Sequence, residues 1–338
     1  MKIIIASNIY PPEVGGPSHY TKLLNDGFIK KGHQVQVIKF SDLKKFPSGL
    51  RHLLYFFRLF KNTIRSDVIL SMDTFSVGFP SALVSRILRK KSFVRVGGDF
   101  LWEMFVERTK EDILLSEFYI SENIKRTNLK ERVILILTKW SLKSFSKIIF
   151  STKWQRDIWQ EAYNLDISRT YVVKNHFPNK KPLPDNFNSR TKILFAGRNI
   201  YLKNLKKLKE IFASGNLNKD IFEVCIDLDQ FELHKKIENS RAVIVPSLSE
   251  VSPNIILESI SLNTPFILTR DTGLYEEFHK FGVFIKPKDI KDIEDKIRYI
   301  LDENNYKNIM EIFKSSTYNS RSYEEIADDF LNIFNKKL

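Results

Sequence analysis

The chain has 338 residues, 43% hydrophobic and 28% charged, with 27 Phe and 12 Tyr and a formal charge of +14. This composition excludes a disordered or low-complexity chain, and the length suits two domains of roughly 150 residues each. A single cysteine, Cys225, excludes an internal disulfide framework and fits a reducing compartment.

No run approaches the ~20 apolar residues of a membrane span, and the apolar stretch 3–6 is too short for a signal peptide. The expectation is a cytoplasmic protein, or one peripheral on the inner face of the cell membrane. The charge is uneven: residues 1–175 hold 29 Lys and Arg against 16 Asp and Glu, a net +13, and the rest holds 25 against 24. Such asymmetry points to an anionic partner for the first half: a phospholipid surface, a lipid phosphate or a nucleic acid.

In chain order, short apolar runs rich in β-branched residues alternate with amphipathic stretches. Strands are expected at 3–6, 35–40, 68–71, 93–96, 147–150 and 171–173, and helices at 18–31, 51–63, 81–90, 132–145 and 154–163. The pattern breaks at "HFPNKKPLPDNFNSR", 176–190, whose three prolines read as a linker. Beyond it, strands are expected at 192–196, 222–227, 242–246, 265–269 and 283–285. Helices follow at 205–212, 231–237, 255–261, 290–302 and 306–315, with a last one at 323–335. Alternating strands and helices predict parallel sheets covered on both faces. The domains expected are 1–175, 191–320 and a terminal helix in 321–338. Cys225, in the strand-like "FEVCID", reads as a small core residue.

Ligands of open parallel sheets bind beyond the carboxyl ends of strands. After the first strand, Gly15 and Gly16 precede a helix with Ser18 as a plausible cap, and adjacent glycines let a backbone approach an anion. This is neither G-x-G-x-x-G nor a P-loop. After the first strand of the second half come Gly197, Arg198 and Lys203, a fork and a point charge suited to a diphosphate. The stretch "SEVSPNIILES", 249–259, puts Glu250 in a loop, then Ser252, Asn254 and Ile255 at a helix start, and Glu258 one turn in. By spacing alone, the pair reads more readily as two exposed glutamates of an ordinary loop and helix.

The ordered set is a Gly-Gly loop, G-R-x4-K, P-S-x2-E-x7-E and then "GVFIKPKDIKDIEDKI". It resembles the GT-B retaining glycosyltransferases of family 4 (group 1). The resemblance implies two Rossmann-like doubly wound domains facing a central cleft, a nucleotide-sugar donor (UDP- or GDP-sugar) and a glycan or lipid-linked acceptor on the first domain. It implies that Arg198 and Lys203 bind the donor diphosphate, that Glu258 binds the ribose and that Glu250 contacts the donor sugar. Backbone amides at Asn254 and Ile255 would hold oxygens, and Gly15 and Gly16 would close over the phosphates. No cofactor and no metal are implied, because Arg and Lys take the place of a cation. The last helix would cross back to the first domain.

The sequence departs from the family twice. A loop that usually holds a histidine reads "RVGGDFLWE", with Asp99 in its place and Glu103 nearby. Asp99 would contact the donor sugar, orient the acceptor or simply cap a helix. Between Lys203 and "AVIVPS" one βα unit is missing, so the chain reads as a shortened member. The segment 44–65, with Arg51, Arg58, Lys61 and Arg65, suits an anionic membrane surface or a core helix with a basic outer face. Rival readings are a glucosyltransferase acting on DNA, a sugar-nucleotide epimerase and a non-catalytic relative; no DNA-binding motif is present.

Overall fold

The structure is a computed structural model that describes residues 1–13, 15–120, 122–183, 189–226, 228–316 and 318–336. Part of the expected linker, 184–188, lies outside the described residues. The chain forms two units, each an α/β layer structure. The first unit comprises Met1–Leu101, Glu122–Asn175 and Ser322–Leu338, and the second Trp102–Ser121 and His176–Arg321.

The first unit holds a six-stranded parallel sheet. Its strands are β1 (Lys2–Ser7), β2 (Gln34–Lys39), β3 (Val68–Ser71), β4 (Lys91–Val96), β5 (Lys147–Phe150) and β6 (Thr170–Val172), in the order β2-β1-β3-β4-β5-β6. Central strands β3 and β5 are buried at every position, as continuous apolar runs in a two-faced sheet require. The crossover helices are α1 (Gly16–Lys30), α2 (Ser48–Thr63), α3 (Gly78–Ile87), α6 (Leu129–Ser144) and α7 (Lys153–Tyr163). Helix α1 starts two residues before the sequence pattern suggested. Gly15, at φ 143°, is its N-cap, so Ser18 lies in the first turn instead of capping it.

The second unit holds five parallel strands: β7 (Ile193–Ala196), β8 (Phe222–Cys225), β9 (Ala242–Val245), β10 (Phe266–Thr269) and β11 (Val283–Ile285), in the order β11-β10-β9-β7-β8. Its helices are α8 (Leu205–Ala213), α9 (Gln230–Glu238), α10 (Asn254–Ser261), α11 (Tyr275–Phe278), α12 (Ile290–Leu301) and α13 (Glu303–Ser315). Among the described residues, only β8 comes between β7 and β9 along the chain, as the shortened reading expected. Counted within each unit, both sheets share the order 2-1-3-4-5, which β6 extends in the first. The topological switch points therefore fall between β1 and β3 and between β7 and β9.

Two segments cross the expected domain boundaries. Helix α14 (Tyr323–Asn335) buries Ile326, Ala327, Phe330 and Phe334 with Leu24 and Phe28 of α1 in the core of the first unit. An added Cβ at Gly27 would stand 3.0 Å from Ala327 Cβ and 3.3 Å from the Tyr323 carbonyl, so glycine permits that close approach. The buried Lys147 amine donates to the Ile333 carbonyl (2.9 Å) and the Lys336 carbonyl (2.7 Å), tying down the end of α14. Conversely, residues 102–120, expected in the first domain, belong to the second unit. They hold most of α4 (Phe100–Thr109) and all of α5 (Leu115–Phe118), neither foreseen from the sequence pattern. Polar bonds to the β7 and β9 loops hold this segment in the second unit.

Candidate active site

The β7 and β9 loops flank the switch point of the second unit. After β7, a 3-10 turn at Tyr201–Lys203 ends in Asn204 at φ 57°. The Asn204 amide donates to the Pro246 carbonyl (2.9 Å) and the Pro287 carbonyl (3.1 Å), which pins this loop to the ends of β9 and β11. Lys203 thus lies in a fixed turn and not at the start of α8.

The Lys203 ammonium is ion-paired with Glu250 Oε1, which also accepts from Ser247 Oγ at 2.6 Å. Both side chains are mostly buried, with 22% and 13% exposure. Backbone bonds from Glu250 N to the Asp271 carbonyl (3.0 Å) and from Gly273 N to the Glu250 carbonyl (3.1 Å) fasten the Glu250 loop to the chain after β10. Arg198 is far more open, at 66%, and its guanidinium lies 4.0 Å from Glu103. The protein itself leaves room for a side chain at Gly197, where an added Cβ would make only ordinary contact with Phe195. This edge of the sheet therefore offers one open guanidinium and one paired ammonium, an arrangement able to receive two anionic oxygens.

Glu258 is held separately. On α10 it accepts from Gln230 Nε2 at 3.0 Å and lies 3.6 Å from His234 Nε2, both on α9. The structure thus joins Lys203 with Glu250 and leaves Glu258 with a different pair of neighbours. Ser252, Asn254 and Ile255 are half-buried around the N-terminus of α10, whose cap, Pro253, supplies no side-chain hydrogen bond.

The segment 102–118 braces these loops. Glu107 Oε1 accepts from Leu202 N (3.1 Å), Asp112 accepts from Tyr201 Oη (2.9 Å) and Lys207 Nζ (2.6 Å), and Leu115 N donates to Ser249 Oγ (2.8 Å). Ser249 Oγ donates in turn to Asp271, whose carboxyl is pushed upward by burial. Burial, then the bond to Asp112, pushes the Tyr201 phenol up to about 12. These bracing residues lie far along the chain from their partners, and no spacing in the sequence could reveal them.

Gly15, Gly16 and Asp99 belong to the first unit. Nothing approaches an added Cβ at Gly16 within 4 Å, so that loop is open. Asp99 is buried immediately before α4. On α2, Arg58 is ion-paired with Asp42 at 2.8 Å, and Arg51 lies over the Phe40 ring with its Nε sealed. Of the four basic residues expected to face a membrane, Arg51 is thus held partly inward, where α2 packs Tyr55 and Leu59 beside Phe40, whereas Arg58 stays exposed in a surface ion pair. Lys61 and Arg65 are exposed.

Two doubly wound, parallel-sheet Rossmann-like units in one chain are the GT-B fold. Residues 174–316 match the family "Glycosyl transferases group 1". The chain is 23% identical over 399 aligned positions to an uncharacterized glycosyltransferase of Methanocaldococcus jannaschii, covering 99% of this chain and 98% of that one. Its fold is similar to that of a sucrose-phosphate synthase from Thermosynechococcus elongatus (TM-score 0.72, 14% identity, 98% of each chain). It is also similar to that of WaaG, a glycosyltransferase involved in lipopolysaccharide biosynthesis (TM-score 0.69, 12% identity, 99% of this chain and 100% of that one). Residues 174–316 thus carry the group 1 glycosyl transferase match, on a chain of GT-B fold.

Proposed function

We propose that the chain transfers a sugar from a nucleotide-sugar donor, a UDP- or GDP-sugar, to a glycan or lipid-linked acceptor, with retention of anomeric configuration and without a metal. The observation that carries this reading is Arg198 and Lys203 at the carboxyl edge of β7, beside Glu250 and inside the matched stretch. The donor diphosphate would displace Glu250 from Lys203, freeing that carboxylate for the transferred sugar. Negative charge growing on the leaving phosphate would be stabilised by the guanidinium, the ammonium and the N-terminus of α10. The leaving oxygen would take the acceptor proton, so the reaction needs no separate base. Glu258, steadied by Gln230 and His234, would receive the ribose hydroxyls.

The acceptor falls to the first unit on charge. That unit carries 29 Lys and Arg against 15 Asp and Glu, whereas the second carries 25 against 25. The whole excess of +14 thus lies on one unit. Synthesis of a cell-surface polysaccharide or glycolipid would supply anionic or membrane-borne acceptors, and the similarity to WaaG supports that setting. The deciding experiment is a nucleotide-release screen over UDP- and GDP-sugars with product analysis. Transfer to an acceptor with a retained anomer supports the proposal; release of a free epimerised sugar without acceptor defeats it.

One surface favours a peripheral membrane location. Leu50, Leu53, Phe57 and Ile64 are 44–58% exposed at spacings that share a face of α2 and its C-cap, next to Lys61 and Arg65. An apolar stripe with flanking cations suits the interface of an anionic bilayer. Among the described residues no helix is long and apolar enough to cross a membrane. Flotation with vesicles containing phosphatidylglycerol should carry the wild type and leave Phe57→Glu behind; equal flotation of both would remove this reading.

A further inference from the structure

Arg95 lies near the carboxyl end of β4 in the first unit and is 8% exposed. Its guanidinium stacks on the Tyr20 ring, 3.8 Å from the centroid, and Nη2 donates to Ser151 Oγ (3.2 Å) and Asn175 Oδ1 (2.8 Å). These partners are neutral. Among the described residues no carboxylate pairs with Arg95, and its Nε and Nη1 make no hydrogen bond. A buried charge without a counter-ion is costly to fold around.

Three neighbouring features share this lack. Tyr20 Oη and Ser18 Oγ, on residues 4% and 1% exposed, are sealed and without partners, which is rare for buried hydroxyls. The N-terminus of α1, a helix of 15 residues, has no side-chain cap and no acidic residue in its first turn. At Gly97 an added Cβ would stand 2.8 Å from Arg95 Nη1, and no unusual backbone angle calls for glycine there. Glycine at 97 thus lets Nη1 pack against the backbone, and a Cβ there would force the guanidinium to shift.

We propose that Arg95 forms a seat for an oxyanion, a phosphate or carboxylate carried by the acceptor. The assignment to the acceptor rests on the reading that the first unit takes that substrate. The seat is distinct from the Arg198 and Lys203 pair, which belongs to the second unit. The guanidinium offers two nitrogens that make no hydrogen bond, Nε and Nη1, matching two oxygens of such a group.

The test is calorimetric titration of the full chain with inorganic phosphate, with glucuronate as the carboxylate probe and with UDP and GDP. Phosphate or glucuronate should bind the Arg198→Ala/Lys203→Ala variant as it binds the wild type. Binding should weaken tenfold or more in Arg95→Gln and in Gly97→Ala, with nucleoside diphosphate affinity unchanged in both. Gly97→Ala keeps the Arg95 charge while its Cβ, 2.8 Å from Nη1, displaces the guanidinium, so it decides if Arg95→Gln fails to fold. Unchanged oxyanion affinity in Gly97→Ala, or an equal loss of nucleoside diphosphate affinity, overturns the proposal. Nucleotide release from a sugar donor, measured separately, tests the transferase reading without touching the seat.

Discussion

The Lys203 ammonium and the Glu250 carboxylate are ion-paired across the switch point of the second sheet, one on the loop after β7 and the other on the loop after β9. The pair sets a competition, because an incoming diphosphate must take the ammonium from the carboxylate. Lys203→Ala should therefore lose at least about tenfold in nucleoside diphosphate affinity, whereas Glu250→Gln should bind the same nucleotide as tightly or more tightly. Both should slow transfer. Titration calorimetry beside a turnover assay separates them; weaker nucleotide binding in Glu250→Gln would contradict the competition.

Arg198 is the more exposed cation, and in the proposed reaction it would meet the leaving group. Its removal in Arg198→Ala should lower kcat by about 100-fold, the usual scale for loss of a main charge stabiliser. Glu258→Gln should behave differently, raising the donor KM severalfold while kcat at saturation stays near normal, since a ribose contact is made equally in ground and transition states. Steady-state kinetics with the donor found by screening would show both patterns.

Asp112 receives hydrogen bonds from Tyr201 and Lys207 and so fastens the turn that carries Lys203. Asp112→Ala should leave the fold intact by circular dichroism yet weaken nucleoside diphosphate binding severalfold. Unchanged nucleotide affinity would show that the turn holds its shape without this brace.

The same brace gives a pH signature. The Tyr201 phenol is raised to about 12 from its ordinary value of 10.0. A folded-state pKa above the unfolded one contributes stability that is fully present below pH 10 and is lost as pH climbs toward 12. The urea midpoint of the wild type should fall more steeply over that interval than that of Tyr201→Phe. Parallel slopes would show that the phenol is not held by Asp112 in solution.

Gly27 is where α1 meets α14. A leucine there would push into Ala327 and the Tyr323 carbonyl, and overpacking of this kind costs about 1–3 kcal/mol. Gly27→Leu should lower the melting temperature by several degrees.

Hydrophobic pattern alone located all eleven strands, because each is a short apolar run that parallel pairing buries on both faces. It also placed Lys203 and Glu250 on loops that follow strands, where the structure has them. The pattern missed α4 and α5 and assigned 102–120 to the wrong unit. That segment is held by polar bonds to Leu202, Tyr201, Lys207 and Ser249, which periodicity does not register. The packing of Arg51 over Phe40 was equally hidden, because a charge on a helix looks the same in sequence whether it faces solvent or a neighbouring ring. The amino-acid sequence by itself determined the elements, their alternation and the edge where the chemistry gathers, all consequences of local polarity. Only the tertiary structure decided which charges meet: that Lys203 is claimed by Glu250, that Glu258 rests against α9, and that Arg95 is buried with no anion beside it. Those outcomes depend on distances between residues far apart in the chain, and electrostatic energy is set by such distances and by burial.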